Sequence, residues 1–356
     1  MPADIAVSPA ALTGGITAIF RALGIEAAER VAAALVQADC EGIPSHGVML
    51  VPMYADRIKA GSVSRRTTGD VVVDQGTTLV IDAQNALGQL TAHQAVGLVA
   101  DRAAAHGMAA VAVRNGFHFG TAGYWATMLA ERGLIGIVMS NTRPLMPAPG
   151  GAERLVGNNP LAIAVPGPEG AAPLVLDMAL SASAMGKIRL AESAGREIPA
   201  GWATDEAGQP TTDPAAAIRG MLLPAAGPKG FGLAVMIDLI CGGLSSGAIG
   251  EAVRPLYGDP ADPYACAHFF LGLDVARFRP LLDFIGDAGA FADRIRGSRP
   301  APGTERIFTP GEPAWATAQA RAEACPVAAD TLAKLSTLGR ALGLGPDDLA
   351  SFQGNP

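Results

Sequence analysis

The pattern of apolar and polar positions changes character several times along the chain, and each change marks an element. Residues 8–22 and 26–41 are helical in pattern, with Ser8 as an N-cap before Pro9 and Gly24 as the break between them. The second helix, EAAERVAAALVQADCE, runs into Gly42–Ile43–Pro44, where the proline turns the chain out of helix. A short helix is expected from Val51 to Lys59, then two strands in GDVVVDQGTTLVIDA (69–83) around a turn at Gln75–Gly76. Beyond this the texture alternates: a helix over 87–106, an apolar strand at 107–115, GFHFGTAGYW leading a helix to Arg132, and a strand at 133–141. NPLAIAVPG and PLVLDMA are two further strands, with MPAPGGAERLVGNNP as a Gly/Pro loop. Strands alternating with helices predict an α/β core. Residues 186–228 are polar and turn-rich, a surface excursion suited to a lid or a dimer arm. An apolar helix (229–244), a strand in CAHFFLGLDVARF and a helix pair over 327–352, broken at Gly343–Gly345, complete the chain.

Composition narrows the function class. A length of 356 residues suggests about two domains, and 49% hydrophobic with 17% charged residues describes a compact enzyme-like chain. Net charge is −7 with no basic run, which argues against nucleic acid and against anionic membrane surfaces as partners. No signal peptide is read at the N-terminus, and the most apolar stretch, FGLAVMIDLICGGL, is too short to span a bilayer and carries Asp238. Four scattered cysteines without CxxC spacing point to free thiols in a reducing cytoplasm.

Candidate chemistry centres on few residues, because the chain has only five histidines. GIPSHGVMLVPMY (42–54) places Ser45 beside His46. In an extended segment adjacent side chains point to opposite sides, so the two are not expected to work as a nucleophile–base pair. His46 can still hold or give a proton near neutral pH, and Ser45 can fix the ring or cap the next helix; the plainer reading is a surface histidine. GLSSG (243–247) matches a nucleophile elbow only in letters, since a helix rather than a strand precedes it, and Ser245 is expected to cap a helix end. GFHFGTAG spaces its glycines wrongly for G-x-G-x-x-G, and the next strand ends in Asn141 rather than an acid, which argues against an ordinary Rossmann site. His118 stands where a strand gives way to a helix, the usual place for chemistry in α/β sheets. Lys229, between glycines at a helix start, suits a phosphate. No spacing suggests a metal.

Together these stretches resemble one family. EGIPSHGV with its following tyrosine, VRNGFHFGTAGYWA, SNTRPLMPAPGG, GNNPLAIAVP, LDMALS, IPAGWATDEAGQPTTDP and GPKGFGLA occur in the order seen in the type-2 malate/L-lactate dehydrogenases. Relatives in that family include ureidoglycolate and sulfolactate dehydrogenases, diketogulonate reductase and piperideine- or pyrroline-2-carboxylate reductases. The resemblance, from about residue 10 to the end, implies a mixed α/β fold that binds NAD or NADP without a standard Rossmann fold, a separate helical domain, a homodimer and an active site in the cleft between the parts. It divides the chain into a helical domain (1–75, completed from 230–356), a cofactor-binding core (76–229) and a returning segment (230–356).

By the same resemblance His46 would be proton donor and acceptor with Ser45 orienting it, and His118 a second catalytic histidine, itself assigned as the base in some relatives, that also lines the cofactor; the residue before it, usually Asn in the family, is Phe117 here. Phe119, Gly120, Asn141, Thr142, Asp177, Met178, Ala179, Lys229, Pro310, Gly311 and Glu312 fall on cofactor positions, and Tyr54 on a substrate position. The family reads S-H-G-x-x-R, whose arginine suits a substrate carboxylate; here that position is Leu50, and Arg143 is the candidate substitute. The implied reaction moves a hydride to or from C2 of a small 2-oxo, 2-hydroxy or cyclic imino acid. The alternative is a non-catalytic small-molecule or nucleotide-binding protein on the same scaffold, with Leu50 as decay of its substrate site.

Overall fold

The computed structural model describes residues 4–352. A short strand β1 (Asp4–Val7) precedes helices α1 (Pro9–Ala22) and α2 (Ala28–Cys40). Ser8 holds the N-cap position of α1 but its side chain makes no capping bond. Helix α3 (Val51–Ala60) comes after two 3₁₀ turns, and its C-cap Gly61 is left-handed. Strand β2 (Asp70–Asp74) and β3 (Thr78–Asp82) form the expected hairpin. Then come α4 (Gly88–His106), β4 (Met108–Gly116), α5 (Ala122–Ala130), β5 (Leu134–Ser140), β6 (Leu161–Val165) and β7 (Leu174–Met178).

The expected surface excursion over 186–228 is more ordered than its polarity suggests. It holds α6 (Met185–Ser193), β8 (Ala203–Thr204), β9 (Pro210–Thr211), α7 (Pro214–Arg219) and β10 (Met221–Leu222). Ile188, Ile198, Ala203, Ala217 and Leu222 bury together against Met139 and Ala267, so the segment packs on the main sheet with a small core of its own. The apolar helix is α8 (Pro228–Asp238), extended by a π-type turn to Gly243, and Ser245 bonds back to the carbonyls of Cys241 and Gly242 as a helix-end hydroxyl. Strand β11 (Cys266–Asp274) precedes α9 (Leu281–Arg296) and α10 (Glu312–Ala320), two helices that the pattern does not predict. Their apolar residues are largely left at the surface, so no buried stripe announces them; in α9 only Ala292 is buried. Strand β12 (Cys325–Ala328), α11 (Ala329–Ala341) and α12 (Pro346–Ala350) close the chain.

Seven strands form one sheet in the order β2-β3-β4-β11-β5-β6-β7. Only β3 and β4 run parallel, joined through α4; every other neighbouring pair is antiparallel. A Rossmann sheet is parallel, so this topology accounts for the failed glycine fingerprint. The late strand β11 enters at the centre, between β4 and β5, and therefore fixes the two strand ends that carry His118 and Asn141. Helices α4 and α5 pack their alanines, leucines and Trp125 on the sheet. A second apolar cluster unites α1–α3 with β12, α11 and the residues around 253–266, and β1 pairs with β12 antiparallel. Between these lies Arg57, fully buried, which donates to the carbonyls of Pro255, Leu256 and Asp262 and so pins the segment leading into β11 to α3. No helix among the described residues is long and apolar enough to cross a membrane.

Candidate active site

Two histidines from separate parts of the fold meet side by side. His46 comes from the turn after α2, His118 from the segment between β4 and α5, and their ring centroids lie 5.3 Å apart with a 32° tilt. Burial draws both imidazoles below the usual histidine pKa, and His118 lies well below it, with repulsion from His46 and His268 adding to the effect. Both are half-buried rather than sealed.

The turn that carries His46 is not extended. Pro44–His46 close a 3₁₀ turn, with His46 N–H bonding Ile43 O at 3.0 Å and Gly47 N–H bonding Pro44 O at 2.9 Å. Successive side chains then rotate by about 120° instead of 180°, and Ser45 Oγ comes within 3.0 Å of His46 Nδ1. The expectation that the two point apart is therefore corrected. Ser45 is exposed and braces the ring from outside. From below, the Asp39 carboxylate accepts the Val48 N–H at 2.7 Å. Gly47 lies so close above it that a Cβ would stand 2.3 Å from Asp39 Oδ2, so this position requires glycine. Asp39 is 3% exposed, and burial pushes its pKa up to about 7 despite the Val48 bond and Arg321 nearby.

His118 is fixed through helix α3. Tyr54 Oη lies 2.7 Å from His118 Nδ1 and 3.3 Å from the His118 carbonyl, and Gln89 Nε2 donates to the same oxygen at 3.2 Å. Gly88 lets α4 approach this backbone, since a Cβ there would lie 2.1 Å from Phe117 O. Phe119 is buried with its ring stacked on His268 at 4.3 Å, and Trp125 Nε1 holds Phe119 O at 2.9 Å. Gly120 comes next at positive φ, opening the chain into α5. Tyr54, Phe117 and Tyr264 form an aromatic wall beside the pair.

The other candidates sit at strand ends, turns and helix starts of the same fold. Asp177, at the end of β7, accepts the Gly123 N–H at 2.8 Å and so supplies an N-terminal bond to α5. It is exposed yet desolvation raises its pKa, and Glu41, within electrostatic reach, links it to the His46 turn. Met178 and Ala179 are half-buried next to it. The turn Pro310–Glu312 packs on β7, with Pro310 O accepting the Val175 N–H at 3.1 Å. Glu312 itself is occupied: Arg296, Arg306 and Thr309 all bond its carboxylate, and the Thr309 N–H first, with Arg296, holds its pKa down at about 2. Asn141 is buried and its side chain is used internally, by Ala267 N–H, Asp238 and Ala248 O. Thr142 N–H is held by Asn159 Oδ1 at 2.9 Å. Lys229 is exposed in the first turn of α8.

Leu50 is fully buried in the helical cluster and contributes no polar group to the crevice. Arg143 is half-buried, and burial lowers its pKa; its electrostatic neighbours are Arg154, Tyr264 and Arg189, with no carboxylate among them. Four contributors are not evident in the sequence: Gln89, Asp39, Tyr264 and His268. Gln89 and Asp39 are polar residues on buried helix faces, which is a signal in itself. Tyr264 and His268 pack behind Phe117 and Phe119 because β11 inserts at the sheet centre, which no local pattern reveals.

Residue by residue these suit a dinucleotide: a helix N-terminus with an exposed lysine for phosphate, an accessible carboxylate at Asp177, and two adjacent imidazoles whose pKa values burial lowers. Among the described residues no cluster of histidine, cysteine and carboxylate side chains could hold a metal.

Because Asp39 titrates near 7 when folded and at 3.8 in an ordinary setting, the folded protein keeps a proton that the unfolded chain loses between about pH 4 and 7. Stability contributed by this group is thus lost as pH rises through that window. Asp39→Asn keeps an acceptor for Val48 and removes the buried charge. It should raise unfolding free energy at pH 8 by about 1–3 kcal/mol and flatten the pH slope, measured by urea denaturation at pH 5 and 8; a variant less stable than the parent at pH 8 would contradict this origin.

Comparison with known proteins agrees with the geometry. Residues 7–336 match the family described as Malate/L-lactate dehydrogenase. The chain is 35% identical over 328 residues to the malate dehydrogenase of Pyrococcus abyssi, covering 90% of this chain and 89% of that one. It is 36% identical over 287 residues to the NAD(+)-dependent ureidoglycolate dehydrogenase of Escherichia coli O157:H7, covering 81% of each. The sulfolactate dehydrogenase structure from Methanocaldococcus jannaschii superimposes with a TM-score of 0.90 at 32% identity, over 96% of this chain and 99% of that one. The chain belongs to the malate/L-lactate dehydrogenase family and is an NAD(P)-dependent oxidoreductase of the 2-hydroxy-acid dehydrogenase type.

Proposed function

We propose that the crevice reversibly interconverts a small 2-hydroxy acid and its 2-oxo acid, with His46 taking and returning the hydroxyl proton at C2. The observation that carries this is the meeting of His46 and His118, both held neutral at pH 7 by burial, at 5.3 Å between ring centroids. When bound, the nicotinamide accepts or supplies the hydride. Asp177, Met178 and Ala179 line its place along β7, Thr142 stands at the end of β5, and Lys229 in the first turn of α8 meets phosphate. Gly120 and the turn at Pro310–Gly311 shape the approach. Asn141, Phe119 and Glu312 are proposed to act indirectly, since their polar atoms or rings are already committed inside the protein.

His46 is the proton acceptor in the oxidation direction, with Ser45 bracing Nδ1 so that Nε2 is the nitrogen left for substrate. His118 faces the same oxygen. Arg143, a desolvated cation without a carboxylate partner, is the proposed anchor for the substrate carboxylate; it takes over from the guanidinium missing at Leu50. Positioning in such a crevice supplies effective molarities of about 10⁵–10⁸ M, a larger effect than the roughly 10²–10⁴-fold from a placed proton acceptor.

A homodimer is the proposed assembly, its support being Leu233, Met236 and Leu244, apolar and exposed along one side of α8 and its extension. Four free, buried cysteines suit a reducing compartment such as the cytoplasm.

The test is cofactor oxidation and reduction against pyruvate-type, malate-type and cyclic imino acids. His46→Ala should lower kcat by about 10²–10⁴-fold while NADH or NADPH binding, read by fluorescence titration, stays near that of the parent. Unchanged turnover in that variant would remove His46 from the chemistry, and turnover confined to the imino acids would move the substrate class.

A further inference from the structure

We infer that Gln89, acting through Tyr54, locks His118 as its Nε2–H tautomer, so that His118 serves as a hydrogen-bond donor to the substrate oxygen and His46 alone as the base. This rests on the reading of the crevice as the active site, and it adds a positioning residue that lies outside the crevice itself.

The hydrogens available to one oxygen decide the matter. Tyr54 Oη has one hydrogen to give, and three neighbours: Gln89 Nε2 at 3.2 Å, His118 Nδ1 at 2.7 Å and His118 O at 3.3 Å. Gln89 presents its amide N–H₂, which can only donate, so one lone pair of the phenol is taken. The contact to His118 Nδ1 has the length usual for a hydroxyl donor and is shorter than an N–H donor ordinarily makes, so the phenol hydrogen is assigned there rather than to the carbonyl at 3.3 Å; the reverse assignment, Nδ1–H donating to Oη and Oη to the carbonyl, is the Nδ1–H tautomer that the spectra below distinguish. Nδ1 then accepts, and a neutral imidazole that accepts at Nδ1 carries its proton on Nε2. Burial keeps the phenol protonated far above its ordinary pKa, so the hydrogen is always present to be given.

The orientation of the Gln89 amide decides the direction of the chain of hydrogen bonds. Gln89 is completely buried, and its Oε1 has no partner. Turning the amide over would instead leave the N–H₂ group buried without an acceptor, and orphaned N–H groups are rarer than under-satisfied carbonyls. The observed arrangement is therefore the less costly one. It also explains why a polar side chain occupies the core end of α4, beside the glycine that admits the Phe117–His118 backbone. A histidine fixed in this way has no free lone pair for a substrate proton, which leaves that task to His46.

Two isosteric changes separate this from a packing role. In ligand-free protein labelled with ¹⁵N, two-bond ¹⁵N–¹H correlation spectra at pH 7.5 should show His118 with a protonated Nε2 and an unprotonated Nδ1, the signal assigned by its loss in His118→Gln. Gln89→Glu replaces the N–H donor by an acceptor that draws the phenol hydrogen away, and should shift His118 to the Nδ1–H form. Tyr54→Phe should release the tautomer preference altogether. In turnover, Gln89→Leu should lower kcat by about 3–10-fold, the effect of one hydrogen bond, with KM for the cofactor unmoved. An Nδ1–H tautomer in the parent protein, or a His118 signal indifferent to Gln89→Glu, would overturn the inference. Because the spectra need no substrate, a lock that is seen while His46→Ala remains active would fault the proposed reaction and leave the lock standing.

Discussion

The hydrogen bond between Tyr54 Oη and His118 Nδ1, 2.7 Å long, is the contact on which the site depends. It joins a helix of the N-terminal cluster to the segment that leaves the central sheet. Beside it, Phe117 packs against Tyr54 in the same apolar cluster, so the bond fixes the His118 ring within parts that are already packed together. The surroundings serve this contact: Gly88 clears the space for the backbone, Gln89 fixes the phenol, Phe117 and Phe119 wedge the segment from both sides, and β11 sets the height of β4 in the sheet. Arg57, one turn along α3 from Tyr54, ties the same helix to the chain entering β11. Within the network Gln89 Oε1 and His268 Nδ1 lack partners, while the bonds of Tyr54 and Arg57 tie together the elements they connect.

Electrostatics arise from the same burial. Desolvation keeps His46 and His118 neutral, raises Asp177 and Asp39, and lowers the pKa of Arg143. In the proposed reaction the two imidazoles would move the proton and Arg143, whose charged neighbours include no carboxylate, would meet the substrate anion. Glu312 shows the opposite logic. Its carboxylate is saturated by Thr309 and two arginines and held ionised, which makes it a clamp for the turn against β7 rather than a reactive group.

Much of this is legible in the sequence. The helices around 9–40 and 88–106 and the strands at 108–116 and 134–140 have strong local patterns, and long motifs in fixed order carry the family and its two histidines. Local pattern fails where tertiary context decides. Helix α9 exposes Leu282 and Phe291, so its apolar residues do not read as a buried stripe. The 3₁₀ turn at Pro44–His46 reads as extended from sequence, because proline disfavours helix at the residue before it without dictating the conformation after it. Gln89 is invisible as a participant, since its function arises from a contact 35 residues away in sequence. Arg143 and Leu50 show the limit from the other side: the missing guanidinium is plain in the motif, whereas the unpaired charge near Tyr264 emerges only in the fold.

The claim that the two imidazoles act as one unit on a single substrate oxygen is tested most directly by a double-mutant cycle in single-turnover cofactor oxidation. His46→Ala and His118→Ala are each predicted to slow the hydride step sharply, with the double variant little slower than the worse single one, as for groups that act together. Losses that multiply independently, or either single variant turning over at the parent rate, would contradict it.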